Sequence, residues 1–534
     1  MRALAQIYSE TGEKGLLSKR VLIVGNSEYC VKVASEAASI GAPITLISSR
    51  ALVTQGMETE GRIEFFSPAA LLEFQGTPGR FRAILGFDDG TRLYRDIGCV
   101  IVALESEGRA DFAYWGIESN DNIISLVDLE QRLQGGSIDL QAGSRVCFIS
   151  GFNHCSHPVS QRRVVRAAKY LREKVGLDVF VIMEHFKVAE DNLERLMREA
   201  RDSGVVFVKL TNQSPQLAIK NGRVFLSYYD EGLGAGVEMG ADMIVLEEGI
   251  YPPDIAPYIS RTLGIHLDNA GFLQGDFIHN PPIYTNRNGI FVVGSCKGPM
   301  GKDRALCEAK AVALEVERLF KQFDGGDEKA TINWDSDRCA ACLTCYRVCP
   351  HKAINFSDGK TVFYPLACRS CGICMAVCPM NAIELIENYE QRTVIESDFG
   401  LDLEYPLPQL VIFACQNSAY ETYELAERKG LFLHSDFKVI KVPCAGSIDR
   451  EALTWAFAYG AKVVVVAACH HDSCKSIEGS HFGEVRSRMV NEMLEDMGTG
   501  QEYLIFGTVA PGMVSEFTEM IRSAEEKIRM DSPI

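Results

Sequence analysis

Short apolar runs alternate with amphipathic stretches through the first 320 residues of the chain. The run RVLIVGN at 20–26 predicts a buried strand, residues 28–40 carry apolar side chains at helical spacing, and PITLISS at 43–49 predicts the next strand. The same order returns at 145, with VCFISG, a helix over about 158–174 and DVFVIME. Strands alternating with helices in two similar halves predict a doubly wound α/β architecture.

Two further segments follow the linker-like stretch FDGGDEKAT at 323–331. Residues 332–392 form a compact cysteine-rich module. Beyond it, the strands LVIFAC, VIKVPC and KVVVVAAC, with helices between them, predict a smaller α/β unit. The predicted domains are therefore 1–325, in two halves that split near 140, then 326–392 and 405–534.

Composition and charge exclude several classes of function. Apolar residues make up 47% and charged residues 23%, which is typical of a globular protein. The net charge of −17 disfavours nucleic acid and anionic membrane surfaces as partners. No apolar run is long enough to cross a bilayer, and the N-terminus does not resemble a signal peptide. We expect a cytoplasmic protein without direct membrane insertion, or a peripheral one held at a membrane by other subunits.

Cysteine is the residue type that points most directly to chemistry. Of 18 cysteines, eight fall between Cys339 and Cys378, four between Cys415 and Cys474, and six in the first 310 residues. A reducing cytosol disfavours a disulfide framework, so clustered cysteines indicate metal. No Ser/His/Asp arrangement, HExxH motif or P-loop is present, and the sequence offers no catalytic residue.

Two runs of four cysteines repeat at an offset of 29 residues, and each ends in Cys-Pro. This is the pattern of a two-cluster bacterial ferredoxin, in which three thiolates of one run and the fourth of the other bind each 4Fe–4S cluster. The predicted ligands of one cluster are Cys339, Cys342, Cys345 and Cys378, and those of the other are Cys368, Cys371, Cys374 and Cys349. Zinc ribbons also use Cys-x2-Cys pairs but do not need this doubled run before proline.

Four more cysteines are predicted to gather at one edge of the C-terminal sheet. Cys415, Cys444 and Cys469 each end a predicted parallel strand, and Cys474 follows five residues after Cys469. Such strand ends meet at one edge, where ligand sites form. From spacing alone, 2Fe–2S, zinc and an absence of metal all remain open.

The segments ACQNSAY, VPCAGSID and AACHHDSCK resemble the delta subunit of methyl-viologen-reducing hydrogenase over residues 410–500. The resemblance implies one 2Fe–2S cluster, with Cys415, Cys444, Cys469 and Cys474 as ligands. The family often has further cysteines just after the first, whereas Gln416 and Asn417 stand there in this chain. His470 and His471 leave a mixed cysteine–histidine set as an alternative.

Residues 20–320 resemble the thioredoxin-reductase-like part of the heterodisulfide reductase A subunit. The resemblance is carried by GVVFVKLTNQSPQLAIKNGRVFLSYYD, GADMIVLEEGIYPPDIAPYISRTLGIHLDNAGF and GIFVVGSCKGP. It implies a flavoprotein fold that binds FAD, with Gly25 in the first βα turn and Gly294, Ser295 and Gly298 in a late loop as candidate contacts. In that family, the loop around 153–155 carries further cysteines for another cluster, but Cys155 stands alone here.

The first βα turn departs from the dinucleotide pattern G-x-G-x-x-G. It reads Gly25-Asn26-Ser27-Glu28-Tyr29-Cys30, so only the first glycine is kept. Ser27 adds a side chain where the backbone must approach a pyrophosphate, Cys30 replaces the glycine that permits tight packing of helix on strand, and Glu28 adds negative charge. FAD binding and a retained fold with a vacant site both remain open.

The order of modules is similar to the B subunit of quinone-interacting membrane-bound oxidoreductase. It also resembles fused subunits of complexes linked to hydrogenase, formate dehydrogenase or benzoyl-CoA reductase. We therefore predict a subunit that relays electrons through two 4Fe–4S clusters and one 2Fe–2S cluster between other redox subunits. The alternative is a flavoenzyme that splits electron pairs at its own FAD.

Overall fold

The structure is a computed structural model whose described residues are 17–50, 62–136, 138, 140–154, 156–211, 213–220, 223–273, 282–324, 332–357, 359–386, 408–432, 436–498 and 503–530. The chain divides into two compact units. The first unit comprises residues 1–104, 256–293 and 307–534, and the second comprises 105–255 and 294–306. Each unit is described by itself.

The first unit opens on a five-stranded parallel sheet. In order across the sheet, its strands are Ile290–Val292, Cys99–Ala103, Val21–Gly25, Ile44–Ser48 and Ile63–Phe66. The three central strands are buried throughout, as their unbroken apolar runs predict for a parallel sheet covered on both faces. Helix Glu28–Ser39 follows the first strand and packs through Val33, Ala34 and Ala37.

An antiparallel sheet and two helices complete this part of the first unit. The strands of the sheet are Ala70–Gln75, Phe81–Gly86 and Arg92–Ile97. The helices are Ala256–Leu263 and Lys302–Asp324, the latter belonging to the first unit from Cys307 onward.

The cysteine-rich module is built from two short antiparallel pairs and two short helices. The strand pairs are Ile332–Trp334 with Ile383–Leu385 and Ile354–Ser357 with Lys360–Phe363, and the helices are Thr344–Val348 and Ile373–Ala376. A residue in the left-handed region precedes each helix: Leu343 has φ 59° and Gly372 has φ 73°. The equivalent turns show that the internal repeat of the sequence is also a repeat of backbone structure.

The C-terminal part of the first unit has a four-stranded parallel sheet. Its strands, in order, are Phe437–Val442, Leu410–Cys415, Val463–Ala468 and Leu504–Thr508. The helices around it are Ala419–Arg428, Arg450–Ala458, Gly479–Asp496 and Val514–Met530. The three strands that the sequence predicts here are confirmed: Leu410–Cys415 and Val463–Ala468 are buried throughout, and Phe437–Val442 is buried at Ile440 and Val442.

The second unit also contains a five-stranded parallel sheet. Its strands, in order, are Val206–Lys209, Asp178–Met183, Arg145–Ser150, Met243–Leu246 and Ile123–Ser125. An antiparallel sheet of Gln216–Lys220, Arg223–Asp230 and Ala235–Ala241 and a pair of Glu107–Arg109 with Gly249–Tyr251 accompany it. The helices are Leu126–Gly135, Pro158–Tyr170 with a π-turn at Leu171–Val175, and Leu193–Asp202. The predicted α/β class is confirmed in both units.

In the described residues, no helix combines the length and apolar character needed to cross a membrane.

A buried carboxyl group lies at the C-terminal edge of the second unit's parallel sheet. The Glu247 carboxyl accepts hydrogen bonds from the Ser150 hydroxyl (2.6 Å), the Ser156 hydroxyl (2.6 Å) and the Gly151 amide (3.0 Å). His154 Nε2 lies 4.0 Å from it, and burial lowers the pKa of His154. Burial raises the pKa of Glu247 despite its three donors. Cys155, in the adjoining loop, lies outside the described residues.

We predict that Glu247 makes the stability of the second unit depend on pH. Because its pKa is raised in the folded state, its contribution is fully present below the ordinary carboxyl pKa and is lost as pH rises through the raised value. Thermal unfolding between pH 4.5 and 8 should show the wild-type melting temperature falling relative to that of Glu247→Gln. The exposed Glu231→Gln is the matched control and should follow the wild type. Parallel pH profiles for wild type and Glu247→Gln would contradict this prediction.

Candidate metal centres

The first group of thiols lies at the outer end of the cysteine-rich module, and we call it the outer set. Its members are Cys339, Cys342, Cys345 and Cys378. The Cys345 thiol is buried, and its pKa is raised by burial and by the charges of the other three. Cys342 is exposed, and a contact of 3.3 Å from the Thr344 hydroxyl lowers its pKa. The structure thus brings together the four cysteines predicted for one cluster.

The second group, which we call the inner set, lines one cavity. Its members are Cys349, Cys368, Cys371 and Cys374. The other walls are mainly apolar and include Ile354, Phe363 and Ile373. Burial raises the pKa of Cys349, Cys371 and Cys374, and the neighbouring thiols of the set raise it further. An apolar cavity with four convergent thiols fits a metal–sulfur cluster, because bound metal supplies the positive charge that stabilises the thiolates.

The inner and outer sets adjoin each other. Cys374 of the inner set interacts electrostatically with Cys345 of the outer set. These two residues come from the two short helices, which pack together. Two clusters bound at these sets would therefore be neighbours.

The third group, the C-terminal set, lies where the parallel strands of the C-terminal sheet end. Its members are Cys415, Cys444, Cys469 and Cys474, all of them buried. The Sγ atoms of Cys415 and Cys469 are 3.6 Å apart. This separation is close to the roughly 3.8 Å expected for two thiolates on one tetrahedral metal with bonds of about 2.3 Å.

Hydrogen bonds among these thiols shift their pKa values in opposite directions. The thiols of Cys444 and Cys469 bond to Cys474 and lower its pKa, while their own pKa values are raised. The Ser480 amide also donates to Cys474 Sγ at 3.4 Å. Cys469 lowers the pKa of Cys415 in the same way, so the four thiols of the set do not titrate alike.

The two histidines beside the C-terminal set bond to other residues. His470 contacts the Thr508 hydroxyl at 2.9 Å through Nδ1 and Met513 sulfur at 3.4 Å through Nε2. His471 contacts the Ser480 hydroxyl at 3.1 Å and Glu484 at 3.2 Å. Both ring nitrogens of each histidine have such a contact, which favours four cysteines over a mixed set.

The C-terminal set adjoins the inner set. Cys371 and Cys444 interact electrostatically, and the Ser476 hydroxyl bonds to Cys371 and lowers its pKa, which burial raises to about 12. The backbones are close as well, since a Cβ added at Gly372 would lie 2.7 Å from Ser447 Cβ. The three sets therefore follow one another in space in the order C-terminal, inner, outer.

A loop that the sequence analysis did not single out fixes the cysteine-rich module to the rest of the first unit. The side-chain amide of Asn286 donates to the Pro350 carbonyl at 3.0 Å. The main-chain carbonyl of Asn286 accepts from His351 Nδ1 at 2.8 Å. Arg369 donates to the Thr285 carbonyl at 2.7 Å and to Asn288 Oδ1 at 2.9 Å. Nothing in the sequence spacing marks these contacts, because they join residues about 65 to 84 positions apart.

Within the described residues, no group of three or more His, Cys, Asp or Glu side chains is placed to hold a single metal ion. A single zinc ion draws four thiolates to about 2.3 Å from one point, whereas a cubane distributes them over four irons. The two kinds of site therefore require different spacings of their thiols.

Comparisons with known proteins agree with this arrangement. Residues 410–530 match the family Methyl-viologen-reducing hydrogenase, delta subunit, and residues 331–379 match the 4Fe-4S dicluster domain. The chain is 26% identical over 383 residues to the A subunit of ferredoxin:CoB-CoM heterodisulfide reductase from Methanosarcina mazei, covering 70% of this chain and 48% of that protein. This chain resembles heterodisulfide reductase A subunits. The predicted resemblances to these proteins and to the hydrogenase delta subunit are confirmed.

Other relatives show the same relation. The chain is 26% identical over 294 residues to an iron-sulfur A subunit of CoB--CoM heterodisulfide reductase from Methanopyrus kandleri, covering 50% of this chain and 44% of that protein. The chain thus spans about half the length of the curated relatives it matches. The crystal structure of T. acidophilum thioredoxin reductase is 15% identical, with a TM-score of 0.39, over 56% of this chain and 99% of that one.

The first βα turn of this heterodisulfide-reductase-like chain does not fit the pyrophosphate of FAD. The Cys30 side chain, which is buried, fills the space over Gly25, and its Sγ donates to the Ser27 carbonyl at 2.9 Å. The Ser27 hydroxyl caps the following helix by accepting from the Tyr29 amide at 3.2 Å. Glu28 adds an exposed carboxylate to the first turn of the helix. A helix N-terminus that is capped and negatively charged disfavours a phosphate.

The late-loop candidates lie in the second unit, whereas Gly25 lies in the first. Gly294–Lys297 forms a short 3-10 helix, and the Ser295 hydroxyl accepts from the Ser106 amide at 2.9 Å. Gly294 has φ 80° and Gly298 has φ 139°, which are conformations that favour glycine. The loop thus keeps its glycine conformations, and its serine hydroxyl has a backbone partner.

We predict that the wild-type chain binds FAD weakly or not at all because of this first turn. Combining Ser27→Gly with Cys30→Gly restores the G-x-G-x-x-G spacing and removes both obstructing side chains, so this variant should bind FAD more tightly. Flavin content after anaerobic purification and equilibrium titration with FAD measure the binding of FAD by the wild type and by the double variant. Glu28→Gln separates the effect of charge from that of space. Stoichiometric flavin in the wild type would contradict the prediction.

Proposed function

We propose that this chain is an electron-transfer subunit of a heterodisulfide-reductase-like redox complex. It relays electrons through a 2Fe–2S cluster at the C-terminal set and 4Fe–4S clusters at the inner and outer sets. The observation that carries the proposal is the adjacency of the three cysteine sets, through Cys371 with Cys444 and through Cys374 with Cys345. Such clusters supply one-electron transfer when bound, and the chain's own residues ligate, bury and orient them.

The outer set is more exposed than the inner set, and this difference supports a location for electron exchange with a partner. The inner set adjoins the C-terminal set through Cys371 and Cys444, and it adjoins the outer set through Cys374 and Cys345. The outer set has an exposed thiol at Cys342, and Tyr346 and Met380 nearby in the chain are 44% exposed each. We place the exchange of electrons with one redox partner on this outer face.

We propose that electrons are exchanged with a second redox partner at the C-terminal domain, because this domain resembles a hydrogenase delta subunit. Partner subunits of this kind would be flavin, heterodisulfide-reductase-like, hydrogenase or dehydrogenase subunits. The many free thiols favour a reducing compartment, for which we propose the cytoplasm. Attachment to a membrane would then require the partner subunits.

The proposal is tested by metal analysis and electron paramagnetic resonance of anaerobically purified full-length chain. We expect about ten iron atoms per chain, no stoichiometric zinc, and interacting 4Fe–4S signals together with a 2Fe–2S signal after reduction. Colourless protein, or zinc in place of iron at the C-terminal set, would overturn the corresponding part of the proposal. Stoichiometric FAD would favour the flavoenzyme alternative.

We predict that Cys371→Ser interrupts the relay at its centre. It removes a thiolate of the inner set, so the inner-set signal should be lost or altered, with loss of up to about four iron atoms per chain. Electron transfer from the C-terminal set to the outer set should then slow in rapid-mixing spectroscopy. Cys307→Ser is the matched control, because Cys307 is exposed and lies outside the three sets. Equal effects of the two variants would count against the order of sets.

A further inference from the structure

Arg287 is buried in the loop that packs against the cysteine-rich module. The side chain of Arg287, in a residue that is 7% exposed, donates to the carbonyls of Leu263 and of Gly76, the latter at 2.9 Å. Its guanidinium lies 5.7 Å from the ring centres of Phe74 and Phe81. Carbonyl dipoles and aromatic faces stabilise a cation and leave its net charge in place.

Cys349 of the inner set interacts electrostatically with Arg287, and it carries negative charge once it has lost its proton to bind iron. Among the described residues, no carboxylate forms an ion pair with this guanidinium. Burial lowers the pKa of Arg287 to about 10, so the side chain is still charged at neutral pH. A buried cation is costly unless opposite charge is near, and the inner set provides that charge when it binds iron.

The loop that carries Arg287 is held rigidly against the cysteine-rich module. Its neighbours Asn286 and Asn288 donate to the carbonyls of Pro350 and Leu366 at 3.0 Å each. The hydroxyl of Thr285, which is fully buried, accepts from the Arg287 amide at 3.1 Å. The distance between the charge and the inner set is therefore fixed by the fold.

We propose that Arg287 raises the reduction potential of the 4Fe–4S cluster held by the inner set. This inference rests on the proposed function, because it requires a cluster at that set. Reduction adds one electron, delivered from the C-terminal set or from a redox partner and passed on to the outer set, and no bond is made or broken. Arg287 is not among the proposed ligands of the cluster, and it acts on the cluster through its electric field.

The direction follows from electrostatics. Each reduction adds one negative charge, and burial in an apolar cavity opposes that charge. A fixed positive charge nearby stabilises the reduced form more than the oxidised form, which raises the potential. Screening by salt is weak for buried charges, so the effect should persist at high ionic strength.

The first test is a redox titration of the full-length, cluster-loaded chain, followed by electron paramagnetic resonance. Arg287→Met removes the charge, and Arg287→Lys keeps a charge while losing the same hydrogen bonds. We expect Arg287→Met to move the inner-set midpoint to lower potential, with a smaller shift for Arg287→Lys and smaller shifts at the other two clusters. Equal shifts in the two variants would overturn the proposal, because they would show a structural role.

A second pair of variants neutralises the charge and leaves Arg287 in place. A Cβ added at Gly264 would lie 3.4 Å from the Arg287 guanidinium, and Gly264 has φ 63°, which Asp and Asn tolerate best after glycine. Gly264→Asp places a carboxylate there, and Gly264→Asn is its neutral match. The inner-set midpoint should be lower in Gly264→Asp, and identical midpoints would overturn the proposal.

Iron content separates this inference from the proposed function. A wild-type chain without iron at the inner set refutes the proposed function and, with it, this inference. Full iron with unchanged midpoints refutes the role of Arg287 alone. If Arg287→Met does not fold, the Gly264 pair gives the same comparison in a chain that keeps the arginine.

Discussion

The convergence of cysteine thiols in buried surroundings is the constraint on which the rest of the structure depends. Twelve thiols from separate turns and strand ends form three adjoining sets. Burial raises the pKa of several of them, including Cys349 and Cys374, so the metal-free chain keeps those protons. Binding of iron must release them, and assembly of the clusters is therefore coupled to deprotonation and to the packing of these loops.

The spacing of the cysteines predicted much of the candidate site. The Cys-Pro runs predict two cubanes because the geometry of a cubane needs three ligands from one tight turn. The strand-end cysteines could be placed at one sheet edge because parallel strands of buried β-branched residues are readable in sequence. Neither pattern reveals that Ser476 bonds to Cys371, since that contact joins two domains. The hydrogen bonds of Arg287 to Leu263 and Gly76 could not be predicted either, because these residues lie 24 and 211 positions away along the chain.

The first βα turn shows that a parallel sheet can persist where a dinucleotide fingerprint is lost. The strand Val21–Gly25 and its two neighbours in the sheet are buried throughout. Cys30 packs over Gly25 and replaces open space with apolar contact, which stabilises the sheet. The Cys30 side chain that obstructs a pyrophosphate is thus favourable for packing. The loop 285–288 of the same unit positions the cysteine-rich module.

The effect proposed for the Arg287 cation has to be weighed against the negative charge of the whole chain. A net charge of −17 makes the addition of electrons less favourable throughout the molecule, although salt screens the distant part of that field. The inner set is less exposed to water than the outer set, so nearby charges act on it with less screening. A buried guanidinium that interacts electrostatically with Cys349 is therefore screened less than a distant surface carboxylate. If the proposed relay is correct, the potential of its inner cluster depends on this local balance as well as on the charge of the whole chain.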